Sequence, residues 1–143
     1  MMRLGLLVPM IALLGACETT QSGEVETVKP APGGMTVLNG TALYRQRIAL
    51  PADARLAVRI SDVSRMDVAA PVVAATQIAT EGKQVPLAFS LSYDRGKIDA
   101  RGRYSVSARI VDGAGKLIWI TDTHADLPAP GEAITLNLVQ VTG

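Results

Sequence analysis

The sequence predicts an all-β fold, an antiparallel β-sandwich of about seven to eight strands formed by residues 35–143. Two observations support this prediction. Apolar and polar side chains alternate along several short segments, which marks strands with one buried and one solvated face. Gly, Pro and Asp residues separate these segments, and frequent turns between short strands are typical of sandwiches and barrels.

The strands are predicted from the positions of the alternating segments. Alternation is clearest at residues 55–63, 85–93, 104–110 and 134–139, and three more strands are expected at residues 36–44, 71–80 and 116–121. The sequence DGAGK at residues 112–116 predicts a hairpin loop. Leu136 lies on the apolar face of the last strand and is predicted to be buried. The Ala-rich stretch before Pro71 could form a short helical turn.

Pro86 marks residues 84–93 as a candidate edge strand, because proline lacks the backbone donor that a central strand needs. Its simplest role is to protect that edge from aggregation. A sheet edge can also accept an extended partner peptide. The alternative docking surface is an apolar groove between the two predicted sheets, which would take an amphipathic helix. We favour the groove, because Pro86 weakens strand addition.

Residues 1–16 have the pattern of a bacterial secretory signal peptide. Arg3 is followed by an apolar run that is too short to span a bilayer comfortably, since a membrane helix needs roughly 20 apolar residues. Leu14-Gly15-Ala16-Cys17 matches a lipobox, in which an apolar residue and two small ones precede a lipidated cysteine. We therefore expect cleavage between Ala16 and Cys17 and lipidation of Cys17. The alternative is an ordinary signal with a buried cysteine.

Residues 17–34 are predicted to be the lipidated cysteine and a flexible linker, since they are polar and end in Pro and Gly. The residue after Cys17 is Glu18, whereas an Asp at that place retains lipoproteins in the inner membrane of enteric-type bacteria. We therefore expect the protein to be anchored to the outer membrane through Cys17 and to face the periplasm.

The charge of the mature chain is balanced. Removal of residues 1–16 takes away one basic residue, Arg3, and leaves 13 basic and 13 acidic residues. A neutral chain with five aromatic residues offers neither the positive patch nor the stacking platforms that nucleic-acid binding requires. We expect no nucleic-acid partner, no cofactor and a monomeric domain.

Residues that could carry chemistry are few. His124 is the only histidine and could act with Asp122 or Asp126, but a zinc site needs three or four ligands. Other carboxylates lie at predicted turns, where Asp usually caps the backbone: Asp94, Asp99 and Asp112. The cluster at residues 44–47, YRQR, is interpreted as a solvated strand end or a partner contact. The sequence predicts no catalytic residue, no metal site and no enzyme.

Three segments of the sequence resemble a known protein family: residues 40–64, 81–94 and 103–123. Their motifs, GTALYRQR, ALPADA, a Gln before Pro-Leu and a closing TDT, resemble the YbaY family of bacterial lipoproteins, which is grouped with the YscW-type pilotin lipoproteins of type III secretion. The resemblance covers residues 38–141. It implies a β-sandwich on an outer-membrane lipid anchor, without enzymatic activity. Pilotins bind the C-terminal tail of a secretin subunit, and no binding residue can be carried over.

The first functional hypothesis is therefore a lipid-anchored binding or chaperone module with a secretin-like tail as its partner. The alternatives are an envelope enzyme or hydrolase inhibitor on the same scaffold, and a structural lipoprotein without a specific partner. A pocket with converging carboxylates or paired histidines would favour the enzyme.

Overall fold

The computed structural model describes residues 34–143, which form seven β-strands and one short 3₁₀ helix. In chain order these are β1 (Met35–Leu43), β2 (Arg55–Asp62), β3 (Val72–Ala79), β4 (Leu87–Asp94), the 3₁₀ turn Arg95–Lys97, β5 (Tyr104–Val111), β6 (Leu117–Thr121) and β7 (Ile134–Gln140). The all-β prediction is confirmed. The predicted signal peptide, Cys17 and nearly all of the predicted linker lie outside the described residues. Within residues 34–143, no helix is long and apolar enough to cross a membrane.

The seven strands form one sheet in the order β3-β2-β5-β6-β7-β1-β4. Neighbouring strands are antiparallel except β1 and β7, which are parallel. The sheet curves until β3 and β4, its first and last strands, face each other, so that it is nearly a closed barrel. The prediction of two stacked sheets is not confirmed. Alternation shows which side of a strand is buried, and that pattern is the same in a sandwich and in a barrel.

The core fills the inside of the curved sheet with side chains from alternate positions. The largest side chains that are fully buried are Leu56, Val58, Ile60, Leu91, Val106, Ile110 and Leu136. The predicted burial of Leu136 is confirmed, since only 1% of its surface is exposed. The hairpin at residues 112–116 is also confirmed, with the amide of Asp112 donating to the carbonyl of Lys116 at 2.9 Å.

The parallel pairing of β1 with β7 is short and depends on Gly40. It spans four residue pairs, from Gly40 with Ile134 to Leu43 with Asn137. A Cβ at Gly40 would lie 2.4 Å from the ring of Phe89 and 2.6 Å from the carbonyl oxygen of Ile134. Neither approach is tolerated in proteins, so a glycine is needed for β7 to pair at this point of β1.

The predicted helical turn before Pro71 is absent from the structure. Residues 63–71 instead form an irregular loop between β2 and β3. The amide of Asp62 donates to the carbonyl of Pro71 at 2.9 Å and closes the base of this loop. Helix propensity of the alanines is overridden, because the loop must reverse the chain between two paired antiparallel strands.

Replacing Leu136 with Asp should unfold the domain. A buried carboxylate without a partner costs several kcal/mol, which is comparable to the lower end of a domain's total stability. Asn137→Asp is the matched control, because Asn137 is the exposed neighbour on the same strand. Thermal unfolding followed by circular dichroism measures both variants. A wild-type melting temperature for Leu136→Asp would show that β7 does not contribute to the core.

Candidate functional site: the seam between β3 and β4

The most distinctive feature of the fold is the gap where the barrel does not close, which we call the seam. On the seam side, neither β3 nor β4 is paired with another strand within the part of the chain that the structure describes. The backbone N–H and C=O groups that point outward along such an edge are free to pair with another chain. The prediction that Pro86 marks an edge strand is confirmed, because Pro86 directly precedes β4, the last strand of the sheet.

A cavity of about 430 Å³ lies in the seam. Ile78 and Ala79 of β3 form one wall, and Leu87 and Ala88 of β4 form the other. Leu56 of β2 contributes to its lining from the core. Ala79 and Ala88 are exposed, Ile78 is half-buried and Leu87 is buried. The seam therefore offers apolar side chains below a rim of two exposed methyl groups.

The connection between β3 and β4 is fixed by Gln84, whose side chain bridges to Leu50 in a distant loop. Its Oε1 accepts from the amide of Leu50 at 2.6 Å, and its Nε2 donates to the carbonyl of Leu50 at 3.3 Å. Thr80 donates from its hydroxyl to the carbonyl of Ala54 at 2.9 Å. These bonds attach the connection to the β1–β2 loop, so the open end of the seam keeps its shape without a strand ladder.

The connection turns tightly at Glu81 and Gly82, which have φ values of 52° and 78°. Glycine adopts this left-handed conformation without steric cost, whereas Glu81 must be held in it by its surroundings. The turn brings Lys83 and Gln84 to the cavity, where they supply its polar end.

The cluster at residues 44–47 divides into a buried and an exposed part. The ring of Tyr44 stacks on Trp119 of β6, with centroids 3.7 Å apart and planes 5° from parallel. The exposed fractions of these two side chains are 6% and 2%. Burial raises the pKa of the Tyr44 phenol, which donates to the carbonyl of Ile48. Tyr44 is therefore a core residue, not a solvated one, whereas residues 45–47 are exposed as expected.

His124 forms only a surface pair. Its Nε2 lies 2.7 Å from Oδ1 of Asp126, and the two side chains are 46% and 78% exposed. Across residues 34–143, no group of three or more His, Cys, Asp or Glu side chains is placed to hold a metal. Asp94, Asp99 and Asp112 each accept backbone amides of their own turns, as the sequence predicts.

Asp62, the last residue of β2, has a lowered pKa. The main cause is its hydrogen bond with the Ser64 side chain, followed by the bond from the Ser64 amide, which is 2.9 Å long. This arrangement is a capped turn at the end of β2 and shows no feature of a catalytic acid.

Residues 34–139 match the family model described as the type III secretion system lipoprotein chaperone, YscW. The match spans the whole β-sheet except its last residue. The chain belongs to the YscW family. This family is one of lipoprotein chaperones and not of enzymes.

Two relatives of this YscW-family chain are informative. The uncharacterized lipoprotein YbaY of Escherichia coli (strain K12) is 37% identical over 123 residues, which cover 77% of this chain and 63% of YbaY. The chain thus spans less than two thirds of that relative. The structure of an alternative pilotin from the type II secretion system of Vibrio cholerae is 45% identical and superposes with a TM-score of 0.71, covering 76% of this chain and 99% of the pilotin. The predicted resemblance is confirmed.

Replacing Gln84 with Leu should destabilise the domain by about 1–3 kcal/mol, because the buried Leu50 amide then has no acceptor. Gln77→Leu is the control, since Gln77 is exposed on β3 and its substitution should stay within about 0.5 kcal/mol. Chemical denaturation measures both. Equal stabilities of the two variants would show that the bridge to Leu50 does not hold the seam.

Proposed function

We propose that this protein is a lipoprotein anchored to the outer membrane and facing the periplasm, where it acts as a non-enzymatic, pilotin-like chaperone for a secretin-like subunit. The observation that carries the proposal is the seam, an apolar cavity between two unpaired strand edges in a chain of a lipoprotein chaperone family. Its similarity to the alternative pilotin of Vibrio cholerae supports the same role.

The anchor in this proposal is the lipid on Cys17, exposed as the first residue by cleavage after Ala16. The order of basic residue, apolar run and lipobox supports it. The E. coli relative carries the name of a lipoprotein, which is consistent with such an anchor. Glu18 directs the mature protein to the outer membrane in this proposal.

The occupant of the seam is the C-terminal segment of the secretin-like subunit. The sequence favours an apolar groove between two sheets as the docking surface. Because the strands form a single curved sheet, the seam is the apolar groove that this proposal assigns to the partner. The segment places apolar side chains over Ile78 and Leu87, and the rim alanines leave room for its backbone. Burial of each such side chain contributes about 1.5–3 kcal/mol.

Cys17→Ser should abolish lipidation and leave the unprocessed precursor, because the serine hydroxyl cannot form the thioether on which cleavage depends. Metabolic labelling with radioactive palmitate, followed by electrophoresis, checks both effects. Ser22 lies in the same predicted linker, so Ser22→Ala is the control and should be labelled and processed as the wild type. Label entering the Cys17→Ser variant would exclude Cys17 as the anchor.

Ala88→Arg should block the seam and abolish secretin binding without unfolding the domain, since Ala88 is exposed at the rim. Ser92→Arg is the matched control, because Ser92 lies on the same outward face of β4 but outside the cavity lining. We expect the secretin-like subunit to be cross-linked to the wild type and to Ser92→Arg in intact cells, as identified by mass spectrometry. Equal cross-linking of Ala88→Arg, or the absence of any secretin-like subunit, would contradict the proposal.

The conformation of the bound segment can be determined with the same assay. Proline in the middle of the segment should abolish binding of a helix. Tolerance of that proline, together with sensitivity at alternate residues, would show that the segment adds to a strand edge instead.

A further inference from the structure

Several exposed apolar side chains of the described chain cluster in the loop that joins β2 to β3, and among them Met66 is the most exposed large apolar side chain of residues 34–143. Met66 is 93% exposed, Val68 is 54% exposed and Val72, at the start of β3, is 52% exposed. Ala69, Ala70 and Pro71 between them are exposed as well. Scattered apolar residues on a surface need no explanation, but the unbroken run from Val68 to Val72, separated from Met66 by the single exposed Asp67, is typical of a surface that contacts another apolar phase.

The base of this loop is attached to the barrel by backbone and side-chain hydrogen bonds. The amide of Val63 donates to the carbonyl of Arg103 at 2.8 Å, and the amide of Arg103 donates to the hydroxyl of Ser64 at 2.9 Å. The amide of Ser64 donates to the carboxylate of Asp62 at 2.9 Å. The loop is therefore attached to the β4–β5 connection at the same end of the barrel.

The described chain enters the barrel at this same end. The amide of Arg95, at the start of the β4–β5 connection, donates to the carbonyl of Gly34 at 3.2 Å. Gly34 immediately precedes β1, and only 16 residues separate it from Cys17. If residues 18–34 have the dimensions of a flexible chain, they span roughly 20–25 Å. An anchor at Cys17 thus holds this end of the barrel close to the lipid surface.

Within this end of the barrel, the basic side chains are concentrated in the β4–β5 connection. The β4–β5 connection, residues 95–103, carries four basic residues and one acidic residue. Lys97, Arg101 and Arg103 are exposed. Basic side chains beside an apolar tip are the combination found at protein surfaces that lie on anionic lipid.

We infer that the β2–β3 loop is a second membrane contact, with Met66 and Val68 inserted into the lipid interface beside the lipid anchor and the β4–β5 connection on the anionic headgroups. The inference rests on the proposed anchor at Cys17. The lipid keeps the protein at the membrane, and the loop fixes the orientation of the barrel on it. The seam cavity, formed where β3 ends and β4 begins, then lies at the opposite end and faces the periplasm.

A fluorescent probe on the loop tests this orientation. Met66→Cys and, as a control, Ala114→Cys in the exposed β5–β6 hairpin at the opposite end are produced as full-length precursors and purified as the lipidated protein. Each is labelled with a nitrobenzoxadiazole maleimide and reconstituted into vesicles of phosphatidylethanolamine and phosphatidylglycerol. We expect the probe at position 66 to shift its emission to shorter wavelength and to lose most of its fluorescence to lipids spin-labelled in the acyl chain. The probe at position 114 should do neither.

A second substitution separates loop insertion from simple proximity. Val68→Asp, added to Met66→Cys, should return the emission to that of a water-exposed probe, because it removes an inserted apolar side chain and places a second carboxylate beside Asp67, which can remain at the level of the headgroups. Thr76→Asp on β3, outside the loop, should leave it unchanged. An unshifted probe at position 66, equal quenching at positions 66 and 114, or a shift that requires an added protein would each overturn the inference.

The number of maleimide labels per molecule distinguishes the absence of the lipid anchor from the absence of the loop contact. A Cys17 that carries lipid in a thioether does not react with maleimide, so one label per molecule is expected. Two labels per molecule, with loss of the protein from vesicles, would show that the anchor is absent. One label and an unshifted probe would overturn the loop contact alone.

Discussion

The short parallel pairing of β1 with β7 is the constraint on which the rest of the architecture depends. Without it, β1 and β4 would form a separate antiparallel pair, and the other five strands would be an open sheet. Four residue pairs join the two parts, and a side chain at Gly40 would prevent the approach. Because β1 carries β4 on its other side, this one junction also brings β4 around to face β3 and so creates the seam.

The seam and the chain entry lie at opposite ends of the barrel. β4 begins at the seam cavity with Leu87 and ends at Asp94, which pairs with Met35 next to the chain entry. An eight-residue strand is about 27 Å long, so the two ends are separated by roughly that distance. In the proposed function, the anchored end and the binding end therefore do not compete for the same surface.

The sequence predicted the strands because alternation depends only on neighbours in the chain, and it placed Leu136 inside for the same reason. It placed β4 at an edge because Pro86 lacks the backbone donor that a central strand needs. Closure of the sheet could not be predicted, since the pairing of Gly40 with Ile134 joins residues far apart in sequence. The role of Gln84 was missed because its partner, Leu50, is 34 residues away. Tyr44 could have been placed in the core, since it continues the buried even-numbered positions of β1, but its basic neighbours obscured that pattern.

An incomplete barrel suits a chaperone better than a closed one. A closed barrel pairs every strand and leaves no edge or cleft for a partner segment. A broad apolar face would aggregate before a partner arrived. The seam has neither disadvantage. It leaves a cleft open, and it exposes little apolar surface, because the apolar side chains at its rim are the small ones of Ala79 and Ala88 while Leu87 is buried beneath them. In the proposed function, two or three inserted side chains at about 1.5–3 kcal/mol each would hold a partner segment no more tightly than about the micromolar range, which would permit its release.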